Sequence, residues 1–320
     1  MIYTRMTNRL MAGNVINNLL INRSKLNDLQ EQISSGKKVT RPSQDPTGSI
    51  SILSDQNTLL QTENFLKNID QAKSELEVAD KAILTTVDAV HRARELTVQA
   101  ANISSGPSEL SAINYEIEQI INLVKDVGNT KFGNKYIFGG LVTEDAPFQQ
   151  TVPGEIQYMG TPSTGNFQRQ IEISKNVTIN LNLPGDEIFG QYYQDPLAPP
   201  PPPPTMIGSG LLKTLMSLST ELKTVPPSYD NIRTKLGDLD TDLSTLLNAQ
   251  AKMGGTLARL EMTKNKLEED QITYTKRKSS IEDIDLAKSI SDVKFQESAL
   301  EASLSVSARV VQSSLLNYLK

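Results

Sequence analysis

The chain has 320 residues, with 32 Lys and Arg against 37 Asp and Glu, a formal net charge of −5; a net acid has no global affinity for nucleic acid, whose binding rests on neutralising phosphates. One His and no Cys remove disulfide scaffolds, thiol nucleophiles and clustered metal or cofactor sites, so no cofactor and no enzymatic activity are expected. No uncharged apolar run reaches the roughly 18 residues of a membrane span, and the opening MIYTRMTNRLMAGN lacks an apolar core followed by a small-residue cleavage site, so neither a membrane partner nor a Sec leader is expected.

The first forty residues predict one helix. Ala12, Val15, Leu19, Asn22, Leu26, Leu29 and Ile33 recur at alternating spacings of 3 and 4, a narrow seam that suits pairing with one or two other helices. Gly36 suits a left-handed helix end. The prolines of Arg41-Pro42-Ser43-Gln44-Asp45-Pro46 break helicity, and Asp45 before Pro46 reads as N-cap plus first helical residue. A second helix then runs to about residue 104 on Phe65, Ile69, Ala72, Leu76, Ala79, Ile83, Val90, Ala93 and Ala100, with Thr86 and Thr97 filling the gaps. Ser105-Gly106-Pro107 stops it, and a third follows on Leu110, Ile113, Ile117, Ile120, Val124 and Val127.

Residues 129 to about 207 change character. Three glycines in Asn129–Gly140 and short runs at Glu155–Met159, Phe167–Ile173 and Val177–Leu183 predict a small domain of β-hairpins. The six prolines Pro199–Pro204 predict an exposed polyproline arm about 19 Å long. Helix returns near Leu211 and again after Pro226-Pro227 on Ile232, Leu236, Leu239, Leu243, Leu246, Met253, Leu257, Leu260 and Leu267, with polar Gln250 and Lys264 in the seam and a soft point at Gly254-Gly255. The last helix carries Leu286, Ile290, Val293, Leu300, Leu304, Val311 and Tyr318, widened by Ala299, Ala302, Val306 and Val310.

The order helix, strand, helix predicts a mainly α fold with a β insert: a long antiparallel helical rod formed by both chain ends plus a small β-rich domain in the middle. Its expected parts are a terminal coiled coil (1–42 with 284–320), a helical rod domain (43–138 with 208–283), and the insert with its proline arm (139–207). Residues 1–45 carry a net +4 and residues 281–320 a net −2, which favours pairing of the ends, although exposed ion pairs add only about 0–1 kcal/mol each. Seams this narrow are marginal alone. Val15, Leu19, Leu26, Leu29, Ile33, Ile290, Val293, Leu300, Leu304 and Val311 are therefore expected to meet further subunits, with the end helices ordering only on assembly.

Other motifs point to surface rather than chemistry. His91 has no nucleophile or carboxylate partner suggested beside it. Asp238-Leu-Asp-Thr-Asp242 opens like a calcium loop, but Leu243 and Ala249 stand where that loop needs Gly and Glu, so a solvated helix face is expected. The acidic runs at 268–270 and 282–285 read as helix surface, and the three Asn-x-Ser/Thr triplets as chance matches.

His91-Arg-Ala-Arg-Glu-Leu-Thr-Val-Gln-Ala-Ala-Asn102 resembles the xRxRELxVQxAN signature of the bacterial flagellin family. LQEQISSG (29–36) with RPSQDP (41–46) is similar to that family's first helix and following turn, and Ile281-Glu-Asp-Ile-Asp285 resembles the start of its last helix. Arg41-Pro42 and the NxxFxxxYIFGG of Asn129–Gly140 resemble the hook–filament junction branch more than filament subunits. The resemblance covers roughly 1–140 and 210–320, whereas the middle matches only in style. It implies a structural, non-enzymatic subunit of the extracellular flagellum. That subunit would be exported unfolded through the flagellar type III apparatus without a cleaved signal and assembled with itself into a ring. Its other implied partners are a neighbouring hook-associated junction protein, the flagellin filament, and an export chaperone holding the C-terminal helix. Arg92, Arg94, Glu95 and Gln99 are then expected as polar contacts between subunits. A filament-type subunit is the alternative within the family, and a secreted coiled-coil effector or needle-tip-like protein the alternative outside it.

Overall fold

The computed structural model describes residues 8–102, 106–150, 155–161, 169–181, 184–194, 206–224 and 228–318; the proline arm at 199–204 lies outside them. The described elements are, in order, α1 (Asn8–Ser35), α2 (Pro46–Ala101), α3 (Pro107–Gly128), β1 (Lys131–Phe132), β2 (Lys135–Tyr136), β3 (Phe148–Gln149), β4 (Gln157–Tyr158), β5 (Gln170–Ser174), β6 (Val177–Asn180), α4 (Gly185–Ile188), β7 (Gln191–Gln194), β8 (Met206–Ser209), α5 (Gly210–Lys223), α6 (Tyr229–Glu282) and α7 (Leu286–Tyr318). The architecture is mainly α, with long helices from both ends of the chain and a small antiparallel strand region in the middle. The expected punctuation is present. Gly36 ends α1 at φ 72°, Asp45 Oδ1 accepts from the Gly48 N–H at 2.9 Å to cap α2, and Glu109 accepts from the Gly106 N–H at 3.3 Å ahead of Pro107 in α3. Helix α6 runs through Gly254-Gly255 without interruption.

Two compact units divide the chain: Met1–Thr62 with Glu268–Lys320, and Glu63–Leu267. The central unit holds the core. Helices α2 and α6 lie antiparallel in it, pinned in register by Asp70–Lys264 at 2.8 Å, Lys73–Glu261 at 2.6 Å and Arg94–Asp240 at 2.8 Å. Between these pins the seam positions Ile69, Ala72, Ile83, Ile232, Leu239, Leu246 and Leu260 are fully excluded from solvent. Thr86 and Thr97 sit in the same seam without penalty, because each hydroxyl donates to the carbonyl four residues back, Ala82 at 3.0 Å and Ala93 at 2.6 Å. Helix α3 packs on α5, where buried Ser219 donates to Asn114 at 2.8 Å.

The strands form four separate two-stranded antiparallel ribbons, β1–β2, β3–β4, β5–β6 and β7–β8. An isolated hairpin is marginal in water, so each must lean on something else. Their shared support is an aromatic cluster: Phe138 and Phe189 meet edge to face at 4.9 Å, Phe148 and Phe189 at 5.6 Å, and Phe148 and Tyr158 at 5.2 Å. Tyr158 donates its hydroxyl to the Phe138 carbonyl at 2.8 Å, and burial pushes that phenol well above its ordinary pKa. Hairpin β5–β6 is tied to α2 by Asn68, which donates to the Glu172 carbonyl at 2.9 Å, and by Arg169 on buried Glu75. The turn between these strands uses Asn176 at φ 60°, a left-handed position that Asn tolerates.

Replacing Phe138 with Ala should cost the central unit about 3–5 kcal/mol, since a fully buried ring with two ring neighbours' worth of packing leaves a cavity. Thermal unfolding monitored by hydrogen exchange in α5 and β3–β4 measures this, and the loss should be local to the central unit.

Candidate subunit interface

Helix α1 pairs with α7. Val15, Leu19, Leu26, Leu29 and Ile33 are half-buried in this pair, as their spacing predicts. Asn22 sets the register: its Nδ2 donates to Ser303 Oγ at 3.0 Å, and Gln296 Nε2 donates to the Asn22 carbonyl at 3.1 Å. On α7 the half-buried series is Ser289, Val293, Gln296, Leu300, Ser303 and Ser307. Val293 and Leu300 therefore lie toward α1, whereas Ile290 and Leu304, spaced with them in the sequence, remain 43% and 52% exposed. Val311 lies in α7, but its side chain is outside the described residues. The last helix pairs through a seam that is two-thirds polar and leaves several large apolar side chains on the outside. Apolar periodicity alone could not reveal this, because the pairing face is marked by Ser and Gln.

The base of this helix pair is clasped by backbone. Lys37 bridges Asp283, Lys38 N–H donates to the Glu282 carbonyl at 2.6 Å, and Ile284 N–H donates to the Gly36 carbonyl at 3.2 Å. Buried Glu282 accepts from Lys37 Nζ at 2.5 Å and Lys278 Nζ at 3.5 Å, and its hydrogen bond and charge hold the Lys37 ammonium above its ordinary pKa. Asp285 caps α7 by accepting from the Lys288 N–H at 3.1 Å. Asp55, fully buried on α2, is satisfied by the Arg277 guanidinium of α6, with Nε at 2.8 Å from Oδ2.

On α2, Arg92, Arg94, Glu95 and Gln99 are all exposed, and three of them already have partners within the chain. Arg92 Nε pairs with Glu116 at 2.5 Å and its NH1 with Glu95 at 3.0 Å, which raises the Arg92 pKa. Arg94 pairs with Asp240 at 2.8 Å. Between them Ala93, Leu96, Thr97 and Ala100 point into the core. The motif thus joins α2 to α3 and α6 while leaving a polar outer surface. His91 is exposed on the same helix.

Among the described residues there is no group of three or more His, Cys, Asp or Glu side chains placed to hold a metal, and no helix long and apolar enough to cross a membrane. The Asp238–Asp242 run is helical within α6. Asp238 pairs with Lys235 at 3.0 Å, and Asp242 faces a cavity of about 200 Å³ between α5 and α6 with Lys213, Thr214 and Thr241. Burial holds its carboxyl above the ordinary value.

Comparison with known proteins places these elements. Residues 7–143 match the bacterial flagellin N-terminal helical region, and residues 236–319 the bacterial flagellin C-terminal helical region. The chain belongs to the bacterial flagellin family. It is a structural flagellar component rather than an enzyme. It is 25% identical over 282 residues to flagellar hook-associated protein 3 of Escherichia coli K12, covering 85% of this chain and 86% of that protein, and 23% identical over 314 residues to flagellin of Bacillus subtilis 168, covering 96% of each. Its fold is similar to that of the flagellar junction protein FlgL from Legionella pneumophila, with a TM-score of 0.57 at 17% identity, covering 74% of this chain and all of that one. The likeness to Xanthomonas campestris FlgL has a TM-score of 0.58 at 17% identity, over 70% and 99% of the two chains.

In this flagellin-family chain the NxxFxxxYIFGG segment is scaffold. Asn129 mimics a strand, donating Nδ2 to the Phe148 carbonyl and accepting from the Phe148 N–H, both at 2.9 Å. Phe132 and Tyr136 stand in the β1–β2 ribbon, Phe138 enters the aromatic cluster, and Gly140 turns at φ 68° where a Cβ would sit 2.9 Å from Thr161.

Two outcomes follow. Changing Arg277 to Ala strands the buried Asp55 carboxylate and should destabilise the α2–α6 contact there by on the order of 3 kcal/mol, the low end of the range because the guanidinium is half exposed; hydrogen exchange at residues 50–60 and 272–282 reads it. For Asp242 the native carboxyl binds its proton more tightly than the unfolded one, so its contribution is greatest below the ordinary carboxylate value and is lost as pH rises through the raised folded value. Asp242→Asn should therefore raise the melting temperature at pH 7 relative to wild type, with the difference vanishing in acid.

Proposed function

We propose that the chain forms the hook–filament junction of the bacterial flagellum, as a ring of subunits held together through α1 and α7. One observation carries the assembly part of this reading. Among the described residues every buried apolar side chain lies between Ile69 and Leu267, inside the central unit. The terminal unit instead exposes Ile16, Leu20, Leu286, Ile290, Phe295 and Leu304 at between 43% and 76%. A helix pair with no buried apolar residue cannot offset the conformational entropy of ordering it, so its stability must come from neighbouring copies. Val15, Leu19, Leu26, Leu29, Ile33, Ile290, Val293, Leu300, Leu304 and Val311 supply that contact, and the helices are weakly held in the isolated subunit. Arg92, Arg94, Glu95 and Gln99 supply a polar contact between the central units of adjacent copies, keeping their internal ion pairs.

The junction role is supported by similarity to hook-associated protein 3 over most of both chains. A neighbouring hook-associated protein on one side and filament subunits on the other are the partners of such a ring. The exposed apolar faces of the end helices call for an export chaperone on α7, and for delivery as an unfolded chain through the flagellar type III apparatus to the cell exterior. The terminal coiled coil (1–42 with 284–320), helical rod domain (43–138 with 208–283) and insert (139–207) are its proposed working parts. The filament-type reading draws on the similarity to Bacillus flagellin.

Deleting the gene separates these readings. The expected strain builds hooks, lacks filaments and releases flagellin into the medium. Immunogold labelling of the wild-type chain should give a single spot at the filament base; label along the filament would establish the filament role instead.

A further inference from the structure

The terminal unit has two unlike faces, and their chemistry specifies how one copy meets the next. Successive residues advance about 100° around an α-helix. With Asn22 and Ser303 in contact, this places Ile16, Leu20 and Arg23 of α1 on one side of the helix pair, together with Glu297, Glu301 and Leu304 of α7. Ile16 is 57% exposed, Leu20 60% and Leu304 52%, so this side is an apolar ridge flanked by two carboxylates. The opposite side holds a groove of about 250 Å³, lined by Val15, Asn18, Ala302, Ser303, Val306 and Ser307. Its walls are small residues, and Lys25 and Lys288 lie along the same side. The groove is larger than the about 150 Å³ cavity that accommodates a benzene ring, so it takes branched aliphatic side chains.

Ridge and groove lie at the same height along the pair. Asn22 meets Ser303 and Gln296, and Gly36 meets Ile284, so residue numbers across the antiparallel pair sum to a nearly constant value. Leu20 therefore stands level with Glu301, and Lys25 level with Gln296 and close to Glu297. A second copy placed beside the first needs no axial shift to set its ridge against the groove, with its Glu297 near Lys25.

We propose that the terminal units join front to back, the Ile16–Leu20–Leu304 ridge of one copy seated in the Asn18–Ala302–Val306 groove of the next. The occupant of the groove is a second copy of this chain. This rests on the flagellar-subunit reading above and adds the contact's polarity. The two surfaces are different, so the contact is heterologous: it propagates, giving a ring or a helical row rather than a closed pair. Charge also favours it, because acidic Glu297 and Glu301 on the ridge side meet Lys25 and Lys288 on the groove side. Two ridges brought together would oppose carboxylates instead.

The chain has no Cys, so cross-linking gives a direct test. Leu20→Cys and Ala302→Cys, both exposed positions, are introduced singly and together in full-length protein replacing the wild-type copy in its host. Flagella are isolated and oxidised. The doubly substituted chain should give a ladder of dimers, trimers and longer species that collapses on reduction. Each single variant should remain uncross-linked, because neither face meets itself. The two sites lie on opposite sides of the pair, too far apart for a bond within one chain. Dimers from Leu20→Cys alone would show a ridge-to-ridge contact and overturn the proposal, as would dimers from Ala302→Cys alone. Absence of the ladder while immunoblotting shows the double variant in the flagella would also overturn it. Absence of the unmodified wild-type chain from flagella would overturn the functional reading, a different result on a different sample.

Discussion

A seam of apolar residues at alternating three- and four-residue spacing is stable only where another helix lies along it, and that single requirement separates the two halves of this molecule's behaviour. In the central unit the requirement is met within one chain. The α2 seam closes on α6, α3 closes on α5, and Ile69, Ile83, Leu239 and Leu260 lose all contact with water. In the terminal unit α1 and α7 have only each other, and two helices side by side cannot enclose anything. Their seam residues stay half-buried, and the large apolar side chains beyond the seam stay exposed. The same sequence pattern gives a core in one place and an adhesive surface in the other.

Polar groups do the work of alignment where apolar burial is scarce. Asn22 in the α1 seam is matched by Ser303 and Gln296, which fixes one register for the pair, since any slip would leave its amide unpaired in a partly dry contact. At the base of the pair, buried Glu282 draws in two lysines, and Asp55 is fully buried against Arg277. Buried ion pairs add little net stability but penalise every arrangement that separates them. They therefore suit a unit that must hold its shape with little core. In the central unit the same device ties β5–β6 to α2, through Glu75 and Arg169.

The flagellin-like motifs turn out to have two kinds of purpose. His91–Asn102 is half core and half surface: Leu96, Thr97 and Ala100 pack inward, while Arg92 and Arg94 bind neighbouring helices and remain open to solvent. Asn129–Gly140 is almost wholly internal, because Asn129 completes the Phe148 backbone and Phe138 anchors the aromatic cluster. A segment that points to a functional branch of the family thus does so through the shape of its scaffold, without presenting a binding group.

Much of this was legible in the residues themselves. Long helices follow from periodicity that persists over many turns, and their ends from Gly36, Asp45-Pro46 and Gly106-Pro107, whose backbone preferences are local. The seam of α1 was readable for the same reason, as were the α2 and α6 seams down to the threonines that fill their gaps. The strand region was readable as strands, but the pairing of its ribbons and their reliance on Phe138, Phe148, Tyr158 and Phe189 were not. Those contacts join residues far apart in the chain, which no local pattern encodes. The face of α7 that meets α1 was likewise decided only by tertiary structure. Apolar spacing pointed to Ile290 and Leu304, but hydrogen bonds from Asn22 turn the helix so that Ser303 and Gln296 face inward. Sequence determined which stretches are helical and that the ends are left wanting partners. Only the fold decided which side of those ends is spent within the chain and which remains free, because that depends on the rotation of one helix against another.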